Sequence, residues 1–210
     1  MNSARPSIVS ATMNKGKYTE LEAFFSQENI DLLPLWSFDG VGSPVETGLS
    51  FVENALIKAR NAARLTGHPV IADDSGLVVP ALGGAPGVIS SRYAGDTATD
   101  KQNIDKLLSC LDGKHNRNAY FMCVLVFLRS ADDPVPIVTQ AMWEGKILSE
   151  PSGEFGFGYD PVFWVASHQC SAAALTTAEK ASISHRGKAL RLMLIEIQSI
   201  IRKGEICLHD

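Results

Sequence analysis

Apolar and polar positions along the chain predict strands and helices in alternation. Residues 7–12 form a short, mostly apolar run that reads as a first strand. Asn14-Lys15-Gly16-Lys17 reads as a turn, and residues 18–28 then carry Leu21, Phe24 and Phe25 at helical spacing. Residues 31–36 suit a second strand, and 38–47, rich in Gly, Pro and acid, a loop. Ser50 with Glu53 makes a capping box, in which hydroxyl and carboxylate each satisfy a free backbone donor. The helix it opens carries Phe51, Ala55, Ala59, Ala62 and Ala63 as a candidate inward stripe and stops at Gly67. Pro69-Val70-Ile71-Ala72 reads as a buried strand that ends on Asp73 and Asp74, with Ser75-Gly76 as the turn after it.

The second half continues in the same manner. Residues 83–87 are a glycine-rich loop, and Thr99 with Gln102 is a second capping box, opening a helix to about Leu111. Residues 119–129 are continuous, apolar and aromatic, which suits a central strand buried on both faces. Residues 135–148 suit another strand or a bent hairpin, 153–160 a loop, and 161–166 a short strand. Thr176 with Glu179 forms a third capping box and a short helix. The last helix spans about 186–202, with Leu190, Leu194, Ile197 and Ile201 on one face and Gly204 as its stop. Early alternation followed by a central meander gives an α/β class with a mixed sheet. No repeat, low-complexity tract or linker marks a boundary, so residues 1–210 are taken as one domain or two closely joined lobes.

Composition narrows the function. The formal net charge of -4 argues against bulk nucleic-acid binding. Cys110, Cys123, Cys170 and Cys207 form no Cys-x-x-Cys pair, so neither a zinc site nor a disulfide framework is expected, and free thiols in a reducing cytosol are. The N-terminus shows no secretory signal. The longest apolar run, 119–128, falls well short of the ~20 residues that span a bilayer. A cytoplasmic protein is expected, with no membrane or nucleic-acid partner.

Four polar segments sit at predicted strand ends or helix starts, where open α/β sheets bind ligands. The first is Thr12-Met13-Asn14-Lys15-Gly16-Lys17, an anion site or a plain turn before a helix; it is not a P-loop. The second is acidic: Glu46, Asp73 and Asp74, with Glu53 beside them. Adjacent like charges need a partner, and Mg2+ is the usual one, although solvated loop aspartates would look the same. The third, Phe157-Gly158-Tyr159-Asp160, could bring a flat ring to a flat ligand or bury a core Phe. The fourth joins Lys180 to Ser184-His185-Arg186-Gly187, which offers planar and point-charge donors, or else a packed histidine. Together they supply carboxylates for metal, cations for phosphate and an aromatic platform for a base, the needs of a Mg-dependent nucleotide enzyme.

Six ordered stretches also resemble the inosine triphosphate pyrophosphatase family, closest to its bacterial dITP/XTP branch. They are Phe51-Val52-Glu53-Asn54-Ala55-Leu56-Ile57-Lys58-Ala59-Arg60, Ile71-Ala72-Asp73-Asp74-Ser75-Gly76-Leu77, Leu82-Gly83-Gly84-Ala85-Pro86-Gly87, Ser91-Arg92-Tyr93-Ala94-Gly95, Gly156-Phe157-Gly158-Tyr159-Asp160-Pro161 and Ile183-Ser184-His185-Arg186-Gly187. The resemblance runs from about Ile8 to Arg202. It implies an elongated mixed sheet flanked by helices, two lobes with the site in the cleft between them, a homodimer and a requirement for Mg2+. It implies hydrolysis of ITP, dITP and XTP to monophosphate and pyrophosphate, which clears deaminated purines from the nucleotide pool. By position, Asp74 resembles the general base and metal carboxylate, with Asp73 its partner and Glu46 a second ligand. Thr12, Asn14, Lys17 and Lys58 resemble triphosphate contacts, in a segment that includes Met13, Lys15 and Gly16, and Ser75 resembles another substrate contact. Phe157 resembles the residue that stacks on the purine, with Gly158, Tyr159 and Asp160 completing its loop. Lys180, His185 and Arg186 resemble the readers of the base edge.

Two positions depart from the pattern. Met13 stands where the family usually has Gly, which permits close backbone approach or a positive φ, and so puts phosphate affinity in question. Val45 precedes Glu46 where relatives often carry a second acid, so less redundancy in metal binding is expected. Two alternatives stand beside this reading: a Maf-like pyrophosphatase of other specificity, against which His185-Arg186 speaks, and a non-catalytic nucleotide sensor with Met13 as its lesion.

Overall fold

The computed structural model describes residues 5–204. It separates into two compact units, each built from discontinuous stretches: up to Asp74, 124–140 and from Ala189 onward in unit 1, and 75–123 and 141–188 in unit 2. This is why the sequence displays no boundary. Among the described residues seven strands form one mixed sheet, in the order β2-β1-β3-β4-β5-β6-β7.

Unit 1 starts with β1 (Ser7–Ser10), α1 (Lys15–Phe25), β2 (Asp31–Pro34) and α2 (Phe51–Thr66), and leads into β3 (Val70–Val78). β1 lies between β2 and β3 and is parallel to both, with Val9 opposite Leu33 and Val70. The crossovers reverse direction along the sheet, so right-handed connections put α1 and α2 on opposite faces. α2 keeps its capping box at Ser50 and ends on Gly67 in the left-handed region. Its buried stripe is Ala55, Ala59, Ala62 and Ala63, small side chains that let the helix lie close to the sheet.

Unit 2 holds the ends of β3, β4 (Asn118–Leu128) and β5 (Ile137–Ile147) that lie within it, then β6 (Phe163–Val165) and β7 (Cys170–Ser171). β5–β6 and β6–β7 are antiparallel. α3 (Asp100–Cys110) and α4 (Thr177–Ile183) both open on the expected capping boxes, at Thr99 and Thr176. Leu77, Ile104, Leu107, Leu111, Phe121, Trp143 and Phe163 lie in its core. α5 (His185–Arg202) begins in unit 2 and continues into unit 1, where Leu190, Met193 and Ile197 are fully buried.

Two expectations need correction, one open reading is decided and one strand was not foreseen. β3 does not stop at Asp73; it runs through Asp74, Ser75 and Gly76 to Val78. The carboxylates find lysine partners, so the strand has no need to end. α1 starts at Lys15 instead of Tyr18, because Asn14 is its N-cap and its side chain accepts the Lys17 N–H. Residues 135–148 hold one strand and no bent hairpin. β7, two residues paired only to β6, carries no pattern that a sequence could display. Cys110, Cys123 and Cys170 are free thiols; Cys207 lies outside the described residues. Among the described residues no helix is long and apolar enough to cross a membrane.

One buried ionic knot follows β4. Asp133 accepts hydrogen bonds from the Arg129 backbone N–H and Nε, both at 3.0 Å, from its Nη2 at 2.9 Å, and from Val135 N–H at 2.9 Å. Burial opposes the Asp133 charge, but these donors prevail and hold its carboxyl below the usual range. A folded-state pKa below the unfolded one gives stability that is present above the unfolded value and lost as pH falls through the folded one. Asp133→Asn is therefore expected to cost about 1–3 kcal/mol in urea unfolding at neutral pH. The gap to the parent should narrow below about pH 4; a gap independent of pH would refute the charge-based account.

Candidate active site

In unit 1 the two carboxylates of β3 sit deep in the strand, with Asp73 3% and Asp74 6% exposed. Successive strand residues point to opposite faces. Accordingly each aspartate meets a lysine from a different helix. Lys17 Nζ of α1 lies 3.0 Å from Asp73 Oδ2. Lys58 Nζ of α2 lies 2.8 Å from Asp74 Oδ1 and 3.5 Å from Glu46 Oε1. In the structure the two aspartates have this pair of ammonium groups as counter-ions.

The electrostatics are uneven. Burial alone would lower the Lys58 pKa, but Asp73, Asp74 and Glu46 overcome it and raise the value. Burial raises the pKa of Asp74, with Glu46 pushing the same way and Lys58 and Lys17 pulling against it. Both directions have one origin. The ammonium serves three carboxylates and stays charged, whereas Asp74 has one contacting ammonium and shares it. Asp74 Oδ2 is also buried without a hydrogen-bond partner.

Among the described residues no three His, Cys, Asp or Glu side chains converge at metal-binding distance. Mg2+ does not require such a cage: it keeps several waters and takes one or two carboxylates together with substrate phosphates. Asp74, with its free oxygen, and the adjacent Glu46 and Asp73 fit that mode of binding.

The phosphate-type segment lies at the start of α1. Thr12 is buried, and its hydroxyl accepts the Asn14 N–H at 3.2 Å. Asn14 Oδ1 accepts the Lys17 N–H at 3.0 Å. Lys15 and Gly16 are exposed in the first turn. Met13 is 45% exposed and does not take a positive φ. The backbone here therefore does not need glycine, and the Met13 side chain projects towards solvent.

Unit 2 assembles the aromatic and basic segments. Phe157 is half-buried, with Lys180 Nζ 4.7 Å and Arg186 Cζ 5.9 Å from its ring centre. Asp160 Oδ2 accepts the Lys180 ammonium at 2.5 Å and the Phe157 N–H at 3.0 Å. Gly156 has φ +81°, and a Cβ there would lie 2.2 Å from that same oxygen, so no other residue fits. Arg186 Nη2 donates to Ser75 Oγ at 3.2 Å. Gly158 N–H donates to Asp100 Oδ2 at 2.7 Å. Tyr159 is buried in the core of the unit, and its hydroxyl donates to the Ser90 carbonyl at 2.8 Å, so it anchors the loop from beneath. The His185 ring lies 4.8 Å from Phe121, nearly parallel at 10°, with Trp143 at 6.2 Å.

A tight corner sets the spacing of the cations. A Cβ on Gly187 would lie 1.8 Å from the Ala181 carbonyl oxygen, so only glycine lets the start of α5 touch α4. Ser184 Oγ accepts the Gly187 N–H at 3.1 Å and secures the turn. Phe121, Trp143, Ser90 and Asp100 escaped the sequence reading. The first two lie in strands whose apolar pattern says core and nothing more, and the others carry no local signal.

This arrangement agrees with the comparisons. Residues 8–196 match the sequence model of the Ham1 family. The chain belongs to the Ham1 family. Relatives named dITP/XTP pyrophosphatase include one from Idiomarina loihiensis, 52% identical over 198 residues, covering 90% of this chain and 96% of that protein. Another, from Escherichia coli strain K12, is 51% identical over 189 residues, covering 89% and 95%. Among solved structures, a Ham1 protein from Coxiella burnetii superposes with a TM-score of 0.87 at 46% identity, covering 92% of this chain and 99% of that one. The mixed sheet flanked by helices is thus the Ham1 fold.

The lysine partners lead to one prediction. Lys58→Ala would strand the Asp74 charge in a buried strand and is expected to cost about 3–5 kcal/mol in chemical denaturation. A loss below about 1 kcal/mol, the worth of an exposed ion pair, would contradict the buried pairing.

Proposed function

We propose that this Ham1-family chain hydrolyses non-standard purine nucleoside triphosphates, namely dITP, ITP and XTP, to the monophosphate and pyrophosphate. The same proposal takes Mg2+ as cofactor, a free nucleotide as partner, and a cytoplasmic homodimer as the working form. The observation that carries it is Asp74: a buried carboxylate with one oxygen on Lys58 and the other without a hydrogen-bond partner. Relatives of about half-identical sequence bear the same activity in their names, which supports the reading.

In this mechanism unit 1 takes the triphosphate. Thr12, Asn14 and the first N–H groups of α1, with Met13, Lys15, Gly16 and Lys17 in the same segment, form the anion site, as the exposed donors of a helix start favour phosphate. Lys58 adds charge beside it. Mg2+ held by Asp74 with Glu46 and Asp73 would stabilise negative charge on the phosphates. Asp74 orients and deprotonates the water that attacks the α-phosphorus. The bond between the α-phosphorus and the bridging oxygen breaks, and pyrophosphate leaves with that oxygen.

Unit 2 reads the base. Phe157 stacks on the purine. Lys180 and Arg186 can only donate hydrogen bonds, and they meet a keto oxygen at position 6. His185, held flat against Phe121, presents a ring edge. Ser75, Gly158, Tyr159 and Asp160 complete the surroundings. In ATP those donors would face an amino group, and unpaired buried donors can discriminate by about 10⁴–10⁵.

Pyrophosphate release with Mg2+ should favour ITP, dITP and XTP strongly over ATP and GTP, and chelation of the metal should abolish it. Asp74→Asn should lower kcat by at least about a hundredfold. Equal turnover of all five nucleotides would refute the specificity and favour a Maf-like activity, and binding without turnover would favour a sensor. Phe157→Ala should raise the KM for ITP by about five- to 150-fold, the range for a lost base stack; an unchanged KM would remove Phe157 from the base site.

A further inference from the structure

We infer that Asp100, which lies inside the second capping box but outside the four polar segments and the six family-like stretches, is a positioning residue for the base-binding loop. The inference rests on the reading of Phe157 as the stacking partner of the base.

The loop is badly equipped to hold a ring still by itself. Gly153, Gly156 and Gly158 all take positive φ, at 87°, 81° and 61°. Glycines sample many backbone states, so a chain segment rich in them is fixed only by outside ties. Glu154 and Phe155 have theirs: both N–H groups donate to the Ala173 carbonyl, at 3.2 and 2.9 Å. Three hydrogen bonds remain at the ring's own backbone, one of them from the Asp160 N–H to the Phe157 carbonyl at 3.3 Å. Phe157 N–H belongs to the peptide plane before the Phe157 Cα, and Asp160 Oδ2 holds it at 3.0 Å. Gly158 N–H belongs to the plane after it, and Asp100 Oδ2 holds that at 2.7 Å. Fixing both planes fixes φ and ψ of Phe157, and with them the direction in which the ring leaves the backbone.

The two carboxylates are not equivalent. Asp160 lies in the same loop and is itself held by Lys180 of α4. Asp100 is the first residue of α3, a helix set by the Thr99–Gln102 capping box and by buried Ile104 and Leu107. It ties the loop backbone directly to α3. A carboxylate at a helix start has an ordinary use too, since it complements the helix dipole. The two roles need different things: the dipole needs negative charge, whereas Gly158 N–H needs only an acceptor oxygen.

That difference makes the test. Steady-state kinetics with ITP would compare the parent, Asp100→Ala, Asp100→Asn and Phe157→Ala, with the Asp100→Ala/Phe157→Ala double variant, and thermal melts would confirm folding of each. Asp100→Ala should raise the KM on the order of tenfold, as expected for loss of a charge-assisted hydrogen bond. Its kcat should stay within about twofold, because uniform binding is what is lost. Asp100→Asn keeps an acceptor and should stay near the parent in KM, even where its melting point falls with that of Asp100→Ala. In the Phe157→Ala background, Asp100→Ala should add little, since coupled residues are not additive. An unchanged KM in Asp100→Ala, an Asn variant as impaired as Ala, or full additivity would each overturn the assignment. If Phe157→Ala itself leaves KM unchanged, the stacking reading has failed first, and the two failures are thereby told apart.

Discussion

The pairing of β3 carboxylates with lysines from two different helices is the constraint on which unit 1 depends. Neither aspartate could remain ionised in a buried strand without a counter-ion at contact, because isolated charge is expensive to bury. Asp73 draws on Lys17 and Asp74 on Lys58, so α1 and α2 are tied electrostatically to neighbouring residues of one strand. The strand can then continue past them to Val78. Against these two ammonium groups stand three carboxylates, since Glu46 also leans on Lys58. The cluster therefore holds more negative than positive charge, which leaves it receptive to a cation.

Unit 2 solves a different problem, with cations in place of carboxylates. Lys180 and Arg186 are both buried, and each has a polar contact inside the unit: Asp160 for the lysine, Ser75 for the arginine. The Phe157 ring lies under both. An electron-rich ring face can share positive charge without neutralising it. Both side chains are thus kept out of water with the ring face beside them.

The sequence disclosed what is local and concealed what is not. All three capping boxes stand where Ser50, Thr99 and Thr176 put them, since the motif consists of residues three apart. The apolar run of β4 was equally plain. The end of β3 was misjudged because the lysines that neutralise it lie elsewhere in the chain, and charge without a visible partner looks like a strand terminus. Asn14 looked like part of a turn, although the side chain that favours turns also caps helices. The basic and aromatic segments were found as strings; that His185 lies flat on Phe121 was not legible, because a strand phenylalanine looks the same whatever it touches.

The corner between α4 and α5 has a wider consequence. Where Gly187 meets the Ala181 carbonyl, backbone touches backbone. The offset between the helix that carries Lys180 and the helix that carries Arg186 is thus gauged by close backbone approach, with the Ser184 hydroxyl securing the turn. Side chains elsewhere in the unit can be exchanged and repacked without altering that distance, while a single methyl group at the hinge would reset it. The distance between these two cations is therefore graduated in peptide bonds.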